Sequence, residues 1–283
     1  MSRFISTVGN YWPGYDVVKK LIIFGDSYSS VGYDPDWPAP TSDEPLGVPF
    51  PGFTWTEGGE DMGDSTNPNW VGHLVTTRRK NNKPLLVYDY AVGGHTLSGL
   101  RKQVELWFLP TVGKKPDWAP WGADDTLFVM WIGINDCAYG SEHASNIRRL
   151  FGLQEALYES GARNFLLIDV PPIHHSPAFS YALRSDPGVG NPYDKWNDEL
   201  HKGAEAFHTK HPEITLLMYS SWEIFNKVNR DPEAFGFSEE DIKKRGGAIW
   251  HDHLHPTSKM HAVIADDLDA FLKKYEGNGT SNS

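Results

Sequence analysis

The sequence predicts an α/β domain organised on a parallel sheet. Two observations carry that expectation: five short apolar runs without polar alternation, and segments of helical periodicity between them. The first run is Leu21-Ile22-Ile23-Phe24, closed by Gly25. Leu85-Leu86-Val87-Tyr88 and Leu127-Phe128-Val129-Met130-Trp131-Ile132 follow, then Phe165-Leu166-Leu167-Ile168 and Ile214-Thr215-Leu216-Leu217-Met218. A strand wetted on one face alternates apolar and polar residues, whereas a continuous run marks a strand covered on both faces. Residues 146–160 place Ile147, Leu150, Leu153, Leu157 and Tyr158 near helical spacing, with Gly161 as a stop. Residues 193–208 carry Trp196, Leu200, Ala204 and Phe207 on one stripe, and residues 258–275 carry Val263, Ile264, Leu268, Phe271 and Leu272.

Two stretches interrupt the alternation. Residues 32–69 are rich in Pro, Gly and acidic side chains, and residues 109–125 carry Pro110, Pro116, Pro120, Trp118 and Trp121. Their aromatic content predicts long ordered loops rather than linkers. No repeat divides the chain, so residues 1–276 read as one domain and the small, polar residues 277–283 as a disordered tail.

With 39% hydrophobic and 22% charged residues among 283, the chain can bury a substantial core. A formal net charge of −11 repels phosphates and anionic bilayers, which argues against nucleic-acid and membrane partners. No apolar run reaches the ~18 residues of a membrane-spanning helix. The single cysteine, Cys137, excludes an intramolecular disulfide, and its place after a buried run points to packing rather than nucleophilic chemistry. The first twenty residues include Tyr11, Trp12, Pro13 and Asp16 instead of a signal-like apolar stretch. A cytoplasmic location is expected if Met1 is the native start, and a secreted one if the N-terminus was processed or re-engineered. The sequon Asn278-Gly279-Thr280 has meaning only in a secreted chain and is otherwise incidental.

Four motifs follow the apolar runs. Gly25-Asp26-Ser27-Tyr28-Ser29 puts a serine at the carboxyl end of the first, where open α/β sheets form ligand crevices. Gly25 permits a sharp turn, and a helix following Ser27 would aim backbone N–H groups at the crevice. An N-capping serine would look the same. Ala91-Val92-Gly93-Gly94-His95-Thr96 offers a glycine N–H at a second turn, or is a plain Gly-Gly turn. Trp131-Ile132-Gly133-Ile134-Asn135-Asp136-Cys137 supplies an amide donor of the kind a developing oxyanion needs, or an ordinary Asn-Asp turn. Trp250-His251-Asp252-His253-Leu254-His255-Pro256-Thr257 sets a carboxylate three residues before an imidazole. A serine hydroxyl is a weak nucleophile until an oriented base takes its proton, and Asp252 with His255 could supply base and orienter. Surface histidines or a metal site built on His251, Asp252, His253 and His255 are the competing readings. Nothing resembling H-E-x-x-H supports the metal, and no metal is expected.

With all four in order, the chain resembles the SGNH (GDSL-type) hydrolase family through Ser27 in GDSYS, Gly94 in GGHT, Asn135 in GIND, and Asp252 with His255 in DHLH. Gly14-Tyr15, Asn69-Trp70 and Trp131-Ile132-Gly133 make it most similar to fungal carbohydrate esterase family 16 acetylesterases. Tyr28 stands where the family name has leucine, and Tyr90 where many members have asparagine. No G-x-S-x-G elbow is present, which disfavours the α/β-hydrolase fold.

The resemblance implies a three-layer α/β/α sandwich of flavodoxin-like type, with a five-stranded parallel sheet and long aromatic-rich loops. It implies a serine esterase without a cofactor, with Ser27, His255 and Asp252 catalytic. The oxyanion hole would comprise the Ser27 and Gly94 N–H groups and the Asn135 side chain. Asp26, Tyr28, Trp131 and His253 are candidate substrate-binding positions beside these blocks. Acetyl esters of sugars or small molecules are the expected substrates. An acyltransferase using the same triad, a lipase-like or aryl esterase, and a non-catalytic carbohydrate-binding module are the alternatives.

Overall fold

The structure, a computed structural model, describes residues 6–57, 67–140, 142–178 and 191–278. Five parallel strands form one sheet in the order β2-β1-β3-β4-β5: β1 (Lys20–Gly25), β2 (Leu86–Asp89), β3 (Thr126–Trp131), β4 (Asn164–Ile168) and β5 (Thr215–Tyr219). The last three are buried throughout, as their unbroken apolar runs require. The observed strands match the five apolar runs to within a residue or two at each end.

The seven helices of the described residues are α1 (Trp70–Lys80), α2 (Leu97–Lys102), α3 (Ile134–Tyr139), α4 (His143–Glu159), α5 (Pro192–Lys210), α6 (Ser221–Arg230) and α7 (Ser258–Leu272). α2 runs on into a π-helical turn, Gln103–Phe108. α1 and α6 pack against α7, while α2 and α5 pack against α4. Two helical layers thus enclose the sheet in a three-layer α/β/α sandwich. The apolar stripe of α4 (Ile147, Leu150, Leu153, Leu157) and that of α5 (Trp196, Leu200, Ala204, Phe207) face this core.

The helix expected directly after Ser27 is absent. A turn stands there, with the Ser29 and Ser30 N–H groups donating to the Asp26 carbonyl at 3.1 and 3.0 Å, and the next α-helix among the described residues begins at Trp70. The glycine- and proline-rich segment that follows Ser30 cannot propagate a helix. Instead it wraps the body. Tyr33, Leu46 and Val48 are buried in the core, and the Pro45 carbonyl accepts from Val87 N–H (2.8 Å) along the outer edge of β2. The opposite edge is covered by the N-terminal segment. Thr7 and Leu216 exchange two backbone hydrogen bonds of 3.0 Å, and Asn10 N–H reaches the Glu213 carbonyl at 3.0 Å. Residues 277–283, expected to be disordered, begin as held chain: Asn278 N–H donates to the Trp12 carbonyl at 3.1 Å. Residues 279–283 lie outside the described residues.

Candidate active site

The order β2-β1-β3 makes β1 the strand from which the connections diverge to either side, and the crevice of such a sheet opens at the carboxyl ends flanking that point. Gly25, the last residue of β1, pairs with Trp131, the last of β3, so the serine turn and the asparagine turn leave the sheet side by side. The turn after β2 joins them through Val92 N–H, which donates to the Gly25 carbonyl at 3.3 Å.

The structure brings Ser27, His255 and Asp252 together. His255 Nε2 lies 2.9 Å from Ser27 Oγ, and His255 Nδ1 lies 2.7 Å from Asp252 Oδ2. Burial raises the Asp252 carboxyl, but hydrogen bonds from the His255 ring and from the Leu254 and His255 N–H groups outweigh it and hold the group well below its ordinary range. An ionised carboxylate only accepts, so Nδ1 carries the proton and Nε2 accepts from the serine hydroxyl. Asp252 Oδ1 receives both backbone N–H groups at 2.6 Å, which curls residues 252–255 into a compact turn around the carboxylate. Tyr28 Oη donates to the Leu254 carbonyl at 2.7 Å and thereby ties that turn to the serine turn.

Asn135 Nδ2 donates to the His95 carbonyl at 2.9 Å, with Asp26 Oδ2 at 3.5 Å. An amide has two N–H bonds, and both have protein acceptors here, the one to Asp26 at the long limit of a hydrogen bond. Gly133 caps the helix carrying Asn135 at a φ of +127°, and a Cβ there would sit 2.4 Å from the Trp196 ring. Gly94 is exposed with a φ of +77°, and nothing lies within 4 Å of where a Cβ would be. Its chain neighbour His95 is oriented by Gln103, whose Nε2 donates to His95 Nδ1 (2.8 Å) and to the Gly25 carbonyl (2.8 Å). Gln103 Oε1 also accepts from Gly25 N–H at 2.9 Å.

Three of the four candidate substrate-binding positions are corrected by burial. Asp26 and Tyr28 are 1% exposed and Trp131 is fully buried, so none presents its side chain to a ligand. Asp26 lies beneath the serine turn and accepts from Tyr28 N–H at 3.1 Å. Burial, opposed by that bond and assisted by the Asp136 charge, pushes its carboxyl up to about 7. Trp131 packs edge-on against Tyr28 at a centroid distance of 5.4 Å. His253 is exposed on the 252–255 turn. Cys137 is buried with its thiol held protonated by burial, which leaves it a packing residue. Among the described residues no group of three or more His, Cys, Asp or Glu could hold a metal ion, and no helix is long and apolar enough to cross a membrane.

Residue patterns did not single out three participants: Trp55, His95 and Gln103. The Trp55 indole stacks on the His255 ring with centroids 5.0 Å apart and planes at 25°. It also lines a cavity of about 470 Å³ with Tyr33, Asp34, Trp37, Phe53 and Trp107. Trp37 and Phe53 are 46% and 44% exposed there, whereas Trp12, Trp70, Trp131, Trp196 and Trp250 are fully buried. Within the aromatic-rich loops, Tyr33 and Trp121 join the core while Trp37 and Phe53 form an open rim.

Ser27, His255 and Asp252 stand in hydrogen-bonded series at the carboxyl edge of a flavodoxin-like parallel sheet, an arrangement chemically able to support nucleophilic acyl transfer. Residues 21–268 match the family model described as GDSL-like Lipase/Acylhydrolase. The chain is 33% identical over 272 residues to an acetylesterase of Thermothelomyces thermophilus, covering 87% of this chain and 86% of that protein. Among solved structures, a GDSL-like lipase from Parabacteroides merdae superposes with a TM-score of 0.57 at 15% identity, covering 93% of this chain and 99% of that one. A variant of an acetyl xylan esterase from Geobacillus stearothermophilus superposes at 0.56 and 15% identity, with 91% and 96% covered. These structural likenesses show the shared fold. The chain belongs to the GDSL-like lipase/acylhydrolase family and is a carboxylic ester hydrolase.

Proposed function

We propose that the chain is a serine esterase that releases short acyl groups, chiefly acetyl, from sugars or other small alcohols through an acyl-enzyme on Ser27. The observation that carries this reading is the 2.9 Å contact between His255 Nε2 and Ser27 Oγ in an imidazole whose other nitrogen is engaged by Asp252. His255 removes the Ser27 proton as Oγ attacks the ester carbonyl, and the negative charge builds on the former carbonyl oxygen. The Ser27 and Gly94 N–H groups and the Asn135 amide donate to that oxygen. As the C–O bond to the alcohol breaks, His255 protonates the departing oxygen. Water, deprotonated by His255, then attacks the acyl-enzyme and returns Ser27 with release of the acid.

Acetyl specificity is supported by the similarity to an acetylesterase over most of both chains. A sugar alcohol is supported by the cavity beside Trp55, where exposed aromatic faces alternate with the carboxylates of Asp34 and Asp36. Such surfaces suit a ring with apolar C–H faces and a hydroxyl rim.

A fluorophosphonate probe should add one adduct to the intact mass of the protein and none to Ser27→Ala. Labelling that survives this substitution places the nucleophile elsewhere. Asn135→Ala should lower kcat on p-nitrophenyl acetate by roughly 10²–10³, the usual cost of one oxyanion donor. Unchanged turnover would remove Asn135 from the reaction.

A further inference from the structure

We propose that Trp55 is a positioning residue for the catalytic imidazole: its indole fixes the plane of the His255 ring and stabilises the imidazolium that forms as Ser27 loses its proton. The proposal rests on the reading of His255 as general base. The first observation is the stack itself, with centroids 5.0 Å apart and planes at 25°. The second is the slot that receives the indole. A Cβ on Gly93 would lie 2.5 Å from the Trp55 ring, so the indole fits only because the residue beside Gly94 is a glycine. The third is the anchoring of the segment. The neighbouring hydroxyls of Thr54 and Thr56 are buried and donate to the Asn67 carbonyl at 2.8 and 3.1 Å. Two residues on, Asn69 Nδ2 donates to the Ser29 and Ser30 carbonyls at 2.8 and 3.0 Å, so the indole and the serine turn share one support.

The imidazole is neutral before proton transfer and cationic after it. The negative face of an indole attracts the cation far more than the neutral ring, so the contact strengthens as the reaction proceeds, which is the condition for raising kcat. The other groups facing His255 are Asp252 on its own turn, Ser27 and Tyr28 on the serine turn, and His261 on α7. Replacing the indole leaves all four in place, which allows its effect to be isolated.

The test compares Trp55→Leu, which keeps apolar bulk but has no aromatic face, with Trp55→Phe, which has a weaker one. Activity is read on p-nitrophenyl acetate, too small to depend on the neighbouring cavity. Ionisation of His255 is read by NMR titration of its ring protons. Trp55→Leu should lower kcat roughly three- to thirtyfold, the range of a partly desolvated cation–π contact, with KM within about twofold of the parent. The His255 pKa should fall in the order Trp, Phe, Leu, and Trp55→Phe should recover most of the lost kcat. A loss confined to KM, or a His255 titration equal to or above the parent's in either variant, would overturn the proposal and leave Trp55 as a wall. If Trp55→Leu does not fold, the Trp55→Phe titration decides alone. Retained hydrolysis in Ser27→Ala would instead sink the underlying triad reading, a failure the Trp55 variants cannot mimic.

Discussion

Asp26 is the buried carboxyl directly preceding the serine in the chain, and its raised pKa couples folding to pH. The folded chain keeps this proton up to about pH 7, while an unfolded chain releases it near its ordinary value of 3.8. Between those limits the native state binds more protons, so this group makes stability fall as pH rises through the window, and the slope vanishes above it. Asp26→Asn should flatten that slope, which urea unfolding at a series of pH values would measure. A slope unchanged in the variant would assign it to other groups. Asp252 has the opposite sign: its depressed carboxyl stabilises the fold above its unfolded value, and that contribution is lost in strong acid. In the proposed mechanism Asp252 sets the tautomer, so Asp252→Asn should cost roughly 10⁴ in kcat at neutral pH, as removal of a triad carboxylate does elsewhere. Steady-state kinetics would show the loss in kcat rather than KM.

At the scale of elements, the π-helical turn after α2 does more than connect. It buries Gln103, whose one side chain makes three hydrogen bonds, two to Gly25 at the carboxyl end of β1 and one to His95. Gln103→Leu would strand the buried Gly25 N–H, at a cost of about 1–3 kcal/mol, and leave the Gly25 carbonyl only its 3.3 Å bond from Val92 N–H. The expected outcome is a clearly lower midpoint in denaturant with a similar m-value, together with a loss of kcat as the β1 and β2 turns drift apart. The turn also shows why the sequence told some things and not others. The strands were legible because burial on both faces leaves an unbroken apolar record, and the long helices α4, α5 and α7 because two or more turns fill a stripe. α2 and α3, at six residues each, are too short to write one. The meeting of Ser27, Asp252 and His255 was legible because the proposed acyl transfer restricts residue types. Gln103 was not, since its partner Gly25 lies 78 residues away. Neither was the role of Trp55, because an indole on an imidazole and an indole in the core, such as Trp131, are the same letter.

Over the whole molecule, both outer strands of the sheet have company: the Pro45 carbonyl on β2, and Thr7 paired with Leu216 on β5. Open strand edges template intermolecular pairing, and covering them keeps a flat parallel sheet from adding further chains. A chain starting at Tyr11 should therefore unfold at a lower temperature and aggregate faster than the parent. Light scattering during a thermal ramp would read both, and identical traces would show that the N-terminal segment protects nothing.

The fastening of Asn278 beside Trp12 has a practical corollary. The N-terminal segment at Trp12, ahead of β1, and the close of the described chain meet at the base of the sheet, while the serine turn emerges from its summit. A flexible tether joined beyond Asn278 would leave the molecule from the pole opposite its crevice. An enzyme immobilised through that end would stand on a support with its mouth turned outward.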